Sequence, residues 1–385
     1  MQLFDLFLDT YGTTGLVLLL AGVVLFVVQL AIYFRYGRLA GYKNAARKVI
    51  REEEPPVSVI LPMFSEDYTF LEEQLPLLMS QRYTHYEVVI VYVGSDTDFH
   101  AELLRHRQFY PQLVVTRLYL DSRYPISRKM ALNIGIKSAH SECMLFTSTD
   151  AVPRSDRWVA LMAKGFSRGE IVIGYCALER KPGLWNRLFR TEQLLSSADW
   201  LSRAAIGRPH RGSLHNFGFT KGLYFRPEIN GFNRLNMNIG EDDLFMQEVM
   251  TRDRVSVILS PKASVEQRMW SGVSWWISQL TYYGAARRFY PSRVRWAKRW
   301  EVISRLLFFA VIGCSIALMP LYFAIGAGVL LLLRYLFVLW EVNRIARRVG
   351  EQGICPLYFI YDLFSPLWEV IFGLLLLRKD ERVWR

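Results

Sequence analysis

Cysteine is scarce in this chain of 385 residues. Its four cysteines, Cys143, Cys176, Cys314 and Cys355, lie far apart, with no CxxC pair and no Cys/His ligand spacing. That excludes a disulfide framework and a structural zinc site, and leaves reduced thiols. Charge is also sparse, at 21% against 52% hydrophobic residues, the reverse of a disordered or solvating chain. Acidic residues are the minority sign: 35 Asp and Glu against 47 Lys and Arg give +12. Basic chains have three usual partners, namely nucleic acid, anionic lipid headgroups or a phosphorylated substrate. Neither GxGxxG nor GxxxxGK[ST] occurs, so no standard phosphate-cradling loop is present, and there is no internal repeat or low-complexity linker.

What is abundant is long uncharged sequence. No charge falls between Thr10 and Phe34. Gly15 to Tyr33, 19 residues apolar apart from Gln29, would reach about 28 Å as a helix, close to the hydrocarbon thickness of a bilayer. Asp5 and Asp9 precede it, and Arg35, Arg38, Lys43, Arg47, Lys48 and Arg51 follow. A retained anchor over residues 1–35, with the chain after residue 35 inside, satisfies the positive-inside rule and lacks the basic start of a cleaved signal peptide. A second block runs uncharged from Leu306 to Leu333 and continues to Trp340. One helix of that length, about 52 Å, is too long to cross once; a break at Met319-Pro320 makes a hairpin, with Arg334 inside its second helix, snorkelling or paired. Pro356 to Leu377 carries Asp362, Pro366 and Glu369 and precedes a basic tail, which predicts a re-entrant or interfacial segment broken at Ser365-Pro366. The expected C-terminal unit is therefore 303–385. Residues 286–302, with Arg287, Arg293, Trp296, Lys298 and Trp300, read as a basic-aromatic interfacial segment, headgroup-bound rather than nucleic-acid-binding. Leu184 to Ile206 is amphipathic, which core packing and membrane docking explain equally well.

Between residues 52 and 285 the pattern changes to apolar runs separated by helical stretches. Val57–Leu61, Tyr86–Val93, Leu113–Leu118 and Cys143–Thr147 are the strands, and helices follow each of the first three. This predicts an α/β domain with a mostly parallel central sheet, whose ligands bind beyond the carboxyl ends of the strands. Chemistry-bearing residues stand at those ends. Asp150, closing the fourth strand, suits a divalent cation bridging diphosphate oxygens, or else caps a helix over Arg154 to Lys164. Glu241, Asp242 and Asp243 are successive carboxylates whose repulsion raises a pKa, as a general base requires; a helix N-terminus over Leu244 to Met250 explains them too. Arg128 and Lys129 open a helix and face phosphates or solvent. His210 and His215 match no helix-borne metal pair.

The ordered set Val57-Ser-Val-Ile-Leu-Pro62, Gly94-Ser95, Lys129-Met-Ala-Leu-Asn-Ile-Gly135, Thr149-Asp-Ala-Val-Pro153 and Gly240-Glu-Asp-Asp resembles the membrane-anchored bacterial family 2 glycosyltransferases of GT-A fold. The resemblance covers about residues 55 to 285 and the arrangement of apolar segments around them. It implies an inverting transfer of sugar from a nucleotide-sugar, foremost a UDP-sugar, to a lipid-linked or amphiphilic acceptor on the cytoplasmic face of a bacterial inner membrane. It implies a role in building cell-envelope polysaccharide or glycolipid, with a divalent metal (Mg or Mn) and no nucleic-acid partner. By the family pattern Asp242 is the general base with Glu241 beside it, Asp150 is the metal ligand, and Pro62, Ser95, Asp96, Lys129, Asn133 and Asp150 hold the donor. Three positions depart from the pattern. Ser148 replaces the first aspartate of D-x-D, Tyr92-Val93 replace the aspartates that touch the base, and Gln279-Leu-Thr-Tyr-Tyr283 keeps the glutamine of QxxRW without its Arg-Trp. The last argues against a processive polymerase; the first two keep open a catalytically degenerate membrane scaffold.

Overall fold

The computed structural model describes residues 2–44, 54–119, 126–229, 244–269, 272–287, 290–354 and 358–378. The strands are β1 (Val57–Met63), β2 (Tyr86–Val93), β3 (Leu113–Leu118), β4 (Cys143–Phe146), β5 (Ala151–Pro153), β6 (Ile171–Gly174), β7 (Cys176–Leu178), β8 (Phe217–Thr220), β9 (Val255–Ile258) and β10 (Val265–Gln267). The helices are α1 (Gln2–Gly37), α2 (Leu75–Met79), α3 (Thr97–Phe109), α4 (Arg128–Ser138), α5 (Trp158–Ala163), α6 (Leu184–Ala205), α7 (Lys221–Tyr224), α8 (Leu244–Val249), α9 (Val273–Arg287), α10 (Ser292–Leu318), α11 (Leu321–Val349) and α12 (Tyr358–Arg378).

The main sheet has seven strands in the order β3-β2-β1-β4-β8-β6-β9. The first four are parallel, β8 runs antiparallel to both β4 and β6, and β9 is parallel to β6. Every residue of β1 is buried because both faces of the sheet are covered, which is why its sequence is nearly continuously apolar. Its side chains divide by the strand period of two. Ile60 joins Val89, Val91 and residues of α4 and α6 on one face; Val57, Val59 and Leu61 join Val88, Ile90 and residues of α2, α3 and α5 on the other. A second sheet, β5-β10-β7, pairs β10 antiparallel with β5 and parallel with β7.

Among the described residues, three helical stretches are long and apolar enough to cross a membrane: Val17–Gly37, Ser292–Leu318 and Phe323–Val349. The break between α10 and α11 falls at Met319-Pro320. Proline there ends one hydrogen-bonded run and opens the next. Two expectations need correction. α12 runs unbroken through Pro366, because Ser365 beside it is fixed by Arg305 Nη1 (2.7 Å) and Asp362 by Arg334; packing of this kind holds a helix through a proline. The basic-aromatic segment also has no boundary near residue 302, since α10 continues from Ser292 into its apolar half.

Arg334 neither snorkels nor meets lipid. It is fully buried and grips Asp362 with two nitrogens (Nη2–Oδ1 3.1 Å), while Nη2 also reaches Gln29 Oε1 at 3.2 Å. Tyr33 and Tyr358 donate to the same carboxylate at 3.1 and 3.0 Å. A charge at this depth is tolerated only when paired, and this network ties α1, α11 and α12 together. α6 packs against the small sheet, β9 and the apolar helices alike. Its buried Asp199 takes Arg35 of α1 (2.7 Å), Lys298 of α10 (2.6 Å) and its own Arg203 (2.9 Å). Packing within the protein thus accounts for the amphipathic stretch 184–206 on both sides of the helix.

Candidate active site

The site forms at the carboxyl end of β4. Asp150 caps no helix: β5 follows it directly, and α5 starts only at Trp158, with Arg157 at its N-cap. The carboxylate is held on both oxygens. Ser148 donates its hydroxyl to Oδ1, and Gln267 Nε2 donates to Oδ2 at 2.8 Å. Gln267 arrives through register, being paired across the antiparallel β5–β10 ladder with Ala151. His215 Nδ1 contacts the Ser148 hydroxyl and stands 3.6 Å from Asp150 Oδ1. Its loop is pinned by the neighbouring Asn216, which donates to the carbonyls of Tyr175 (2.8 Å) and Ala263 (2.9 Å) and accepts from Trp158 Nε1 (3.0 Å).

Burial alone would raise the pKa of Asp150, but His215, the bonds from Ser148 and Gln267, and Arg128 together hold it below the usual carboxylate range. Burial pushes His215 down, with Arg128 adding to the effect against the pull of Asp150. The imidazole is thus neutral at pH 7, the form a metal needs. Among the described residues no three His, Cys, Asp or Glu side chains cluster. The chain itself offers a two-donor set, Asp150 and His215, with the Ser148 hydroxyl between them. A carboxylate suits a hard divalent cation, and an imidazole beside it favours transition metals over Mg.

The other expected donor residues spread along the same sheet edge. Pro62 lies in β1, Ser95 is exposed after β2, and Asp96 is the N-cap of α3, accepting from Phe99 N at 2.8 Å. Lys129 is buried rather than solvated. Asn133 Oδ1 accepts from Tyr224 at 2.7 Å, so it is engaged inside the fold. Arg128, next to Lys129, is the cation that acts on Asp150 and His215. Tyr92, where the family pattern has carboxylate, is buried and donates to Glu66 Oε1 at 2.6 Å; burial and Glu66 push its phenol up to about 12. Glu66 thus brings a carboxylate to this edge from outside the motif. Glu241 and Asp242 lie outside the described residues.

Sequence reasoning missed Gln267 and gave His215 no role. No local signal marks them, since Gln267 reaches Asp150 on a strand of three residues and His215 in the turn before β8. It also missed the cavity beside Gln267, of about 40 Å³, formed between α6 and α9. Trp275, Trp276, Gln279, Arg211 and Glu192 line it. Burial and the nearby Glu369 raise the pKa of Glu192, whose carboxylate accepts from Tyr361 at 2.6 Å.

No protein-family model matches the chain, and no curated protein matches it. Solved structures do. The mannosyltransferase PcManGT from Pyrobaculum calidifontis, in complex with GDP-Man and Mn2+, superposes with a TM-score of 0.54 at 17% identity, over 91% of this chain and 99% of that one. TarS from S. aureus (residues 1–349) covers 83% of this chain and 89% of its own, at 16% identity and a TM-score of 0.42. At such identities the likeness is one of fold, and the fold is that of the GT-A glycosyltransferases, an α/β domain with a mostly parallel sheet set among apolar helices.

Proposed function

We propose that this protein is a membrane-bound, inverting, non-processive glycosyltransferase of the family 2 kind. It moves a sugar from a nucleotide-sugar, foremost a UDP-sugar, to a hydroxyl of a lipid-linked or amphiphilic acceptor at the cytoplasmic face of a bacterial inner membrane. One observation carries the reading. The cavity lined by Gln267, which holds Asp150, shares Glu192, Ser196 and Arg287 with a polar pocket walled by α1, α10 and α12, whose lining includes Tyr33, Glu301 and Arg305. Adjoining polar pockets between the residue that holds Asp150 and the apolar helices suit an acceptor that stays in the membrane. The Mn2+ in the complex of the mannosyltransferase agrees with the donor set found here.

In this reading Asp150 and His215 hold the divalent metal, which when bound neutralises charge on the diphosphate leaving group. Arg128 adds a fixed cation on the same side. Trp275 and Trp276 offer apolar faces against which an acceptor sugar or lipid segment rests. Asp242, with Glu241 beside it, removes the acceptor's hydroxyl proton as the new glycosidic bond forms on the opposite face of the anomeric carbon. The units follow: an anchor over 1–35, a cytoplasmic transferase domain over 52–285, and membrane-associated helices after it.

Ser148 in place of an aspartate favours a second reading, a scaffold that keeps the fold without transfer. A nucleotide-sugar hydrolysis panel on the detergent-solubilised chain separates the two. Metal-dependent release of nucleoside diphosphate from at least one sugar donor is expected; silence across UDP-, GDP- and other donors with Mn and Mg, in a folded sample, selects the scaffold.

A further inference from the structure

A second cavity lies apart from the donor and acceptor spaces and shares no lining residue with them. It is an open cavity of about 350 Å³ between the C-terminal end of α6, the residues leaving α8 and the first turns of α10. Arg203, Arg208, Arg252 and Arg293 converge on it, and among the described residues no carboxylate lines it. Arg203 is held by Asp199, whereas Arg208, Arg252 and Arg293 have no carboxylate partner among the described residues. Two lining residues each carry a buried nitrogen with no hydrogen-bond partner among the described residues, His210 Nδ1, on a residue only 4% exposed, and Gln247 Nε2. Exposed arginines without a carboxylate partner that converge on one cavity point to a ligand rich in acceptor oxygens.

We propose that this cavity binds the phosphate of one anionic membrane lipid. The wall supplied by α10 decides for a lipid over a soluble phosphate. Its first turns carry Arg293, and the same helix continues into a stretch apolar enough to cross the bilayer. Just past the cavity Trp296 and Trp300 are 63% and 55% exposed, with Arg299 stacked over Trp296 at 5.4 Å. Aromatic and basic side chains in that order mark headgroup depth, where the phosphates of lipids are concentrated. The arginines are spread over three elements, so a bound phosphate would tie α6 and α8 to α10. The inference does not rest on the transferase reading.

The test uses the full-length chain, delipidated in detergent, with native mass spectrometry counting bound lipid. Phosphatidylglycerol is expected to occupy one saturable site that phosphatidylcholine does not fill. The variant R208Q/R252Q/R293Q is expected to bind it about a hundredfold more weakly, from about 1 kcal/mol for each arginine near a phosphate. The charge-matched control R107Q/R157Q/R168Q, outside the cavity and away from α10, should lose less than about threefold. Equal losses in the two triple variants, or equal binding of both lipids, would show diffuse adsorption and overturn the proposal. Displacement of the lipid by glycerol 3-phosphate or inorganic phosphate at matching concentration would instead assign the site to soluble phosphate and overturn the lipid claim. Should the triple variant not fold, R208Q and R293Q singly, both at exposed positions, carry the test with about fivefold losses; no loss in either refutes it.

Discussion

Replacing Asp150 with Asn keeps the side chain's shape and removes one charge, so its two consequences can be separated. The first is structural. Oδ1 and Oδ2 accept from Ser148 and from Gln267 (2.8 Å), and Asn turns one acceptor into an NH2 facing a donor. Both partners can adapt, because the hydroxyl rotates and the Gln267 amide can present its oxygen instead. Bonds to a charged acceptor, worth about 1.5–3 kcal/mol, fall to about 1, while a mostly buried carboxylate no longer has to be desolvated. The net loss is about 1 kcal/mol, or about 2 °C in Tm. The second consequence falls on the metal and the donor. Changes to residues that merely orient a metal's ligands cost 10–100-fold in affinity, so loss of the one carboxylate in the set should cost about a hundredfold or more. The assay titrates UDP and UDP-sugars into the detergent-solubilised chain by calorimetry, with Mn and then with chelator, and melts the same samples. Donor affinity indifferent to both the substitution and chelation would refute the metal role. A Tm loss above about 10 °C would show Asp150 to be structural, whatever happens to binding.

Asp242→Asn is expected to keep donor binding and slow transfer about a hundred- to ten-thousandfold, with Asp243→Asn losing less; the reverse order in a transfer assay moves the base by one residue. Asp199→Asn should cost about 3 kcal/mol, the low end for a broken buried pair because Arg35, Lys298 and Arg203 retain some solvent, and a Tm within 2 °C of the parent would refute the hub. Burial pushes His210 down to about 3, with Lys298, Arg203 and Arg211 adding to it against Asp199. Its folded pKa lies below the ordinary 6.5, so the unfolded chain binds more protons between those values and stability falls as pH drops through that window. The slope is about 1.4 kcal/mol per pH unit below 6.5; His210→Gln should flatten the Tm–pH curve between pH 6.5 and 4.5, and an unchanged curve would contradict the assignment.

The fold was legible where one local signal sufficed. Strands β1, β2 and β4 are nearly continuous apolar runs because both sheet faces are covered there, whereas the edge strand β3 is half-buried and carries Thr116 and Arg117. The position of Asp150 follows, since the run of β4 ends just before it. The turn at Met319-Pro320 was equally local, a length limit meeting a proline. The partners of Asp150 were not legible. Gln267 lies 117 residues further along, on a strand of three residues too short for any periodicity, and only the β5–β10 register brings it within 2.8 Å. His215 depends in the same way on Asn216 pinning its loop to carbonyls from two other segments. Sequence could say that Arg334 lies in an apolar helix but not whether it snorkels, because its partner Asp362 sits on another helix that closes over it. Periodicity and charge runs report what one segment does with its own faces. Which distant side chains share a site is decided by pairing register and helix packing, whose energies belong to the assembled fold.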